Sequence, residues 1–327
     1  MTIRDFIDLC VARLAPLYPA AEAKAIAFRL LEHFTDIPTY KYIADPELEI
    51  PGQAGHDVSS GSDQTVMPGS DRASQLTAAL TELGTGRPLQ YVLGFTEFCG
   101  HKFKVREGCL IPRPETEELV SRIIDDLYSD TPSVIPGSDR TVMHDLTPSV
   151  MPGLTGHLDD EDDGPFSILD LCTGSGCIAW SLAAEFPEAM VYGCDVSDAA
   201  LAIACKQRVK LRGAKPIFFH ADVLADPPAG LPKFDVIVSN PPYICDSERV
   251  AMRPNVLDFE PAEALFVPDD DPLRFYRAIA RWADALLRPD GRLYLEINER
   301  FGPEVAALFP GSQILKDISG RNRFVIR

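Results

Sequence analysis

Ser167-Ile168-Leu169-Asp170-Leu171-Cys172-Thr173-Gly174-Ser175-Gly176-Cys177-Ile178-Ala179-Trp180 is the stretch on which the fold reading turns. SILDLC is an apolar run of strand length, and CIAWSLAAEF after it has the continuous apolar content of a buried helix. Between them, Gly174 and Gly176 let the backbone turn sharply and come close to a ligand. A strand, a glycine turn and a helix open many nucleotide-binding units, so this alone does not choose among ligands. The wording narrows the choice. D-x-x-T-G-S-G is not G-x-G-x-x-G, and it offers no lysine to a phosphate. Asp170 would repel a pyrophosphate and would suit a cationic amino-acid end, such as the ammonium of S-adenosylmethionine.

Downstream the pattern alternates. MVYGCDV reads as a strand, and DAALAIACKQRVKLR as a helix capped by Asp198 and ended at Gly213. PIFFHADV and FDVIVSN read as strands. DPLRFYRAIARWADALL is a helix stopped by Pro289-Asp290-Gly291, GRLYLEIN a strand, and QILKDI with RFVIR an antiparallel pair. Alternating β and α units predict an α/β, doubly wound, mostly parallel sheet, here with an antiparallel edge. Ligands of such sheets bind outside the carboxyl ends of the strands. Asp195 ends the second strand, where a carboxylate accepts both ribose hydroxyls. Asp222-Val223 ends the third, where the acid can accept from an adenine amine and the valine can cover the ring. Taken singly, each acid is a strand-end cap; at successive strand ends, in this order, they suit a nucleoside. NAD and S-adenosylmethionine both remain open at this point.

Asn240-Pro241-Pro242-Tyr243 follows the fourth strand. As a strand terminator it would need neither the asparagine nor the aromatic ring. An amide or aryl amine nitrogen is a poor nucleophile because its lone pair is delocalised. Asn240 Oδ1 and the Pro241 carbonyl can accept its two N–H bonds and aim the lone pair at a methyl group. Pro241 and Pro242 bring no backbone N–H, and the Tyr243 ring can stack on the planar group. The nitrogen becomes strongly acidic only as the new bond forms, so positioning and preorganised electrostatics suffice.

Upstream, residues 2–14 put Ile3, Phe6, Ile7, Cys10, Val11 and Leu14 on one helical face, and Ala23 to Phe34 form a second amphipathic helix. A third is expected from Ser74 to Leu83, ended by Gly84. The expected organisation is a helical module over 1–90, a β-hairpin linker over 91–112 and the α/β domain over 113–327. Two Gly-, Pro-, Ser- and Asp-rich insertions, 51–73 and 129–165, share phrases such as VMPGSDR and VIPGSDR. They read as low-complexity surface loops.

Composition excludes several classes. Net charge is −18, with no basic stripe of the kind that grips nucleic acid. The eight cysteines form no CxxC pair and the six histidines have no ligand spacing, so buried thiols and no metal are expected. There is no signal-peptide core at the start and no run of about 20 apolar residues, which gives the expectation of a cytoplasmic protein with no membrane contact.

Residues 166–243 resemble a class I, Rossmann-like methyltransferase with the NPPY tetrapeptide, a signature shared by glutamine methyltransferases and by nucleic-acid amine methyltransferases. Tyr91-Val92-Leu93-Gly94, Phe95-Thr96-Glu97-Phe98, Ile111-Pro112-Arg113-Pro114-Glu115-Thr116-Glu117, Phe259-Glu260-Pro261 and Gly320-Arg321-Asn322-Arg323 add a closer resemblance, to the release factor glutamine methyltransferase family. That resemblance implies methylation of the glutamine in the GGQ motif of class 1 release factors, with S-adenosylmethionine as cofactor and a monomeric enzyme. It maps the cofactor site onto Asp170, Cys172, Thr173, Gly174, Ser175, Gly176, Asp195, Asp222, Val223 and Asn240. The glutamine site maps onto Asn240, Pro241, Pro242 and Tyr243, with Arg113 and Glu117 at its rim. Cys172 stands where many of those relatives have Gly, so its side chain must point away from the ligand or avoid left-handed backbone. The acidic charge and the absent basic recognition domain count against the nucleic-acid alternative. The intact Asn240 and prolines count against a silent cofactor-binding adaptor.

Overall fold

The computed structural model describes residues 1–35, 37–50, 71–129 and 164–327. The insertions expected at 51–73 and 129–165 lie outside the described residues, apart from their ends.

The chain forms two compact units. The first is helical: α1 (Ile3–Leu14), α2 (Ala20–Thr35), α3 (Thr39–Ala44), α4 (Arg72–Leu83) and α5 (Leu89–Leu93). Thr2 and Asp5 form a reciprocal capping box at the start of α1, which satisfies two N-terminal amides that the helix itself cannot. Asp71 caps α4 through the amide of Ser74. The faces read from the sequence meet as one core, with Phe6, Cys10, Leu30, Leu76 and Leu80 fully buried.

The second unit carries the sheet. Its elements are β1 (Phe95–Phe98), β2 (His101–Lys104), α6 (Pro114–Ser129), β3 (Ser167–Leu171), α7 (Cys177–Glu185), β4 (Met190–Asp195), α8 (Asp198–Ala204), β5 (Ile217–His220), β6 (Phe234–Ser239) and β7 (Ile244–Cys245). The one-turn helix α9 (Pro254–Leu257) comes next, inside the segment Arg253–Phe259 that packs as part of the helical unit. There Arg253 pairs with Glu22 at 3.0 Å. The chain then runs through β8 (Phe266–Val267), α10 (Arg274–Leu286), β9 (Leu287–Glu296), α11 (Gly302–Ala307), β10 (Gln313–Lys316) and β11 (Asn322–Ile326).

The sheet has seven strands in the order β10-β11-β9-β6-β3-β4-β5. β3 pairs parallel with β4 and β6, β4 with β5, and β6 with β9, while β11 pairs antiparallel with β9 and β10. This is the doubly wound arrangement with an antiparallel edge that the sequence predicts. The order reverses between β3 and β6, which opens a crevice at their carboxyl ends. On one face α10 packs Tyr276, Ile279, Trp282 and Ala283 at helical spacing. On the other face α6 and α7 pack Leu119, Val120, Ile178 and Leu182.

Three local expectations are corrected. Helix α8 stops at Ala204 rather than at Gly213, and its cap is Ser197, which accepts from Ala200 N. The cause is Gln207, 5% exposed. Its amide accepts from Lys104 N at 2.8 Å and donates to the carbonyls of Lys104 (2.9 Å) and Ser175 (3.1 Å). That two-sided bond to strand β2 draws the chain out of helical register. Helix α10 ends at Leu286, and extended backbone already begins at Leu287, one residue ahead of Arg288, which precedes Pro289 and so avoids helical backbone. The hairpin linker expected over 91–112 is paired only from Phe95 to Lys104, and the residues after it serve another purpose.

Candidate active site

Leu171 lies in register with Cys194 and Ser239, and Asp195 with His220. The residues that follow therefore emerge together at one edge of the sheet, where they line a cavity. Of the residues expected from sequence, Cys172, Thr173, Gly174, Ser175, Asp195, Asp222, Val223, Asn240 and Pro242 line it. The wall opposite is built by Gly108, Cys109, Leu110 and Pro112, with Pro261, Glu263, Ala264 and Phe275 completing it.

The glycine turn is shaped by two different needs. At Gly174 (φ 55°) the nearest atom to an added Cβ is Cys109 Sγ, 3.9 Å away, so the backbone there opens onto the cavity. At Gly176 (φ 77°) an added Cβ would sit 3.0 Å from the rings of Phe218 and Trp180 and 3.1 Å from Ala204. Gly176 thus packs the helix onto the sheet and does not line the cavity. Cys172 adopts φ 59°. Of the two alternatives expected for a side chain here, pointing away from the ligand or avoiding left-handed backbone, the second is therefore corrected. The turn accepts the strain of a non-glycine residue and holds it with the Thr173 N–H to Cys194 carbonyl bond of 2.9 Å.

Asp170 is also corrected. It is fully buried beneath the loop, where it accepts from the Thr173 hydroxyl at 2.5 Å and from Ala179 N at 3.3 Å. It shapes the turn and does not line the cavity. Burial pushes its carboxyl up to about 7, partly offset by the Thr173 hydroxyl. Asp195 does line the cavity. Its carboxylate braces the turn, accepting from Gly174 N at 2.8 Å and Ser197 N at 2.9 Å. Desolvation raises its pKa against the pull of those amides. Asp222 is exposed and accepts from Leu224 N at 2.9 Å, while Val223 beside it is buried.

The NPPY segment divides its roles. Asn240 lines the cavity, and its Nδ2 donates to Thr116 Oγ1 at 3.0 Å. Pro242 lines the cavity as well, whereas Pro241 is buried outside the lining. Tyr243, expected to stack on the substrate, instead packs against the core and donates its hydroxyl to Glu296 at 2.8 Å. The two rim residues are also engaged elsewhere. Arg113 pairs with buried Glu260 at 2.6 Å, and that carboxylate also accepts from Ile111 N at 3.0 Å. Glu117 accepts from Cys99 N at 2.7 Å. Neither lines the cavity.

Sequence reasoning missed Thr116, Glu260 and Glu296. Each is polar and almost wholly buried, and each acts through a partner more than a hundred residues away. The one available signal was that Thr116 and Glu260 sit inside segments, IPRPETE and FEP, already singled out.

The lining tests which group the cavity fits. It holds Asp195, Asp222 and Glu263, and none of the described residues that line it is Lys, Arg or His. A pyrophosphate would find no counter-charge there. A cationic nucleoside would find acids at the ends of β4 and β5 and an apolar floor of Ala200, Ala221 and Val223. Of the two cofactors that the sequence left open, the acidic lining suits the cationic S-adenosylmethionine better than the anionic NAD.

Comparison with known proteins agrees with that chemistry. The methyltransferase small domain family matches residues 154–256. The chain is 35% identical to the release factor glutamine methyltransferase of Bacteroides thetaiotaomicron, with 95% of each chain covered. It is 34% identical to that of Flavobacterium psychrophilum, covering 99% of this chain and 98% of the relative. With the Enterococcus faecalis enzyme it shares 34% over 80% of this chain and 83% of the relative. With this cavity, this sheet and identity sustained along the chain, the protein belongs to the release factor glutamine methyltransferase family.

Proposed function

We propose that the chain methylates the side-chain amide nitrogen of the glutamine in the GGQ motif of class 1 release factors, with S-adenosylmethionine as donor. One observation carries this reading: Asn240 sits at the cavity with Nδ2 committed to Thr116, so its Oδ1 is the end available to a substrate N–H. An acceptor oxygen beside a proline pair suits a planar amide that has N–H bonds to give. Asn240 and the Pro241 carbonyl would hold those two bonds, and Pro242 would limit the space around the amide. Asp195 would hold the ribose, and Asp222 with Val223 the adenine. The bound cofactor supplies an electrophilic methyl. The amide nitrogen would gain that methyl as the donor's S–C bond breaks with its electron pair left on sulfur, and would lose one proton to solvent as it becomes acidic, so this chain's residues need to orient and desolvate and need not act as a strong base.

A single glutamine side chain cannot identify a whole protein, so a second contact is required. The helical unit is our candidate for it, as docking at two points raises the effective concentration of the loop at the cavity. The enzyme would act in the cytoplasm as a monomer. Among the described residues, no helix is long and apolar enough to cross a membrane. The test is transfer of labelled methyl from S-adenosylmethionine to purified release factor, to the same factor with its GGQ glutamine changed to alanine, and to DNA and ribosomal RNA. Label on the wild-type factor alone is expected. Label on nucleic acid, or on the alanine form, would overturn the reading.

A further inference from the structure

The bond from Asn240 to Thr116 at the cavity wall is the outer link of a buried polar chain whose inner links the reading above does not use. Glu296, at the end of β9, is 1% exposed, and Thr116, in the first turn of α6, is 2% exposed. Glu296 Oε2 accepts from Thr116 Oγ1 at 2.7 Å, and Oε1 accepts from the Tyr243 hydroxyl at 2.8 Å. Both partners donate through a hydroxyl, so both carboxylate oxygens act as acceptors. Burial raises the pKa of Glu296, and the hydroxyls of Thr116 and Tyr243 and the opposite charge of Arg323, itself held by Asp317 at 3.2 Å, act against that rise. Thr116 has one hydroxyl hydrogen. With that hydrogen on Glu296, its oxygen can only accept from Asn240, as the 3.0 Å contact with Nδ2 requires.

The polarity of this chain matters because the two ends of an asparagine amide have almost the same shape. Packing cannot tell Oδ1 from Nδ2; only hydrogen bonds can. We infer that Glu296, acting through Thr116, is the positioning residue that keeps Asn240 Oδ1 turned toward the methyl-accepting amide. The inference rests on the proposed function for the identity of that acceptor. A glutamine at 296 can donate to Thr116. Thr116 then gives its hydrogen to Asn240, which must flip and present Nδ2 to the substrate. Two N–H donors would meet, and the acceptor amide would lose its alignment.

The test uses Glu296→Gln, Thr116→Val and Thr116→Ser beside the wild type in the full chain. Three quantities are measured: S-adenosylmethionine affinity by calorimetry, single-turnover methyl transfer to release factor, and hydrogen exchange of the Asn240 side-chain amide by NMR. Glu296→Gln and Thr116→Val should slow transfer on the order of 10²-fold, the scale of a misplaced reacting group, with cofactor affinity within about twofold. Thr116→Ser restores the hydroxyl and should restore both the rate and the protection of the Asn240 amide. Equal rates for Thr116→Val and Thr116→Ser would overturn the inference, as would a wild-type rate in folded Glu296→Gln. If the wild type itself leaves release factor unlabelled, the proposed function fails. The exchange of Asn240 then still decides the positioning role, because protection that persists in Thr116→Val removes it.

Discussion

Replacing Arg113 with alanine separates two roles for this residue. The resemblance makes it a rim contact for the substrate, whereas the structure gives it to Glu260. The Glu260 side chain is 1% exposed and that of Arg113 is 32% exposed. Removing the arginine strands a carboxylate with only the Ile111 amide, 3.0 Å away, as partner. Breaking a buried pair from one side costs about 3–5 kcal/mol. Part of the pair is wet, so the lower end, about 3 kcal/mol, applies. For a unit of this size each kcal/mol moves Tm by about 2–4 °C, which predicts a fall of roughly 6–12 °C in a thermal scan. Glu260→Gln should cost less, because the amide still accepts from Ile111 and the freed guanidinium can turn to water. The double variant Arg113→Ala/Glu260→Gln should be more stable than Arg113→Ala alone, since it no longer buries an unpaired charge. The opposite pattern, an unchanged Tm for Arg113→Ala with a raised KM for release factor, would refute the clasp and return Arg113 to the rim.

Asp195→Ala should weaken S-adenosylmethionine binding by about 2–4 kcal/mol, the scale of charge-assisted bonds lost with its carboxylate; calorimetry giving wild-type affinity would remove it from the site. Asn240→Ala should slow single-turnover transfer on the order of 10²–10³-fold while leaving cofactor affinity close to that of the wild type. Cys172→Gly should leave Tm within about 2 °C, because relief at φ 59° offsets lost packing. Cys172→Val, β-branched in the same conformation, should be clearly less stable, and equal Tm values for the two would contradict the strained turn. Asp170 has a folded-state pKa of about 7, raised by burial. Between its unfolded value near 4 and that point the native state therefore holds a proton that the unfolded chain has lost, and stability from this group falls as pH rises through the window. Asp170→Asn should flatten that slope in urea titrations from pH 4 to 8, and an unchanged slope would show that the carboxyl titrates normally.

What could be read from the sequence was whatever local pattern controls. The strands carry short apolar runs, the turn needs glycine, and the acids stand at strand ends, so the positions of Asp195, Asp222 and Asn240 at the carboxyl edge of the sheet follow from local pattern. What could not be read depends on partners far apart in the chain. Helical periodicity carries α8 on to Arg212, yet Gln207 finds better partners in Lys104 and Ser175. Arg113 and Tyr243 have the chemistry to touch a substrate, and only the placement of Glu260 and Glu296 shows them already occupied. Gly108, Cys109 and Leu110 follow a hairpin and carry no motif of their own, so their place in the cavity wall arises from the fold alone.

The segment Arg253–Phe259 bears on how the protein is made. Domains emerging from the ribosome fold in order of synthesis, N-terminal first. Here the helical unit is translated first but is completed late, because one of its pieces lies beyond Met252. Until that stretch emerges, Glu22 lacks Arg253 and Gly86 lacks the Phe259 ring that packs near it. The nascent chain must hold an unfinished helical core while the central strands β3 to β6 are produced. Trimming the helical residues from a gene would accordingly orphan a loop in the middle of the remaining product, and grafting them onto another enzyme would carry over an incomplete module.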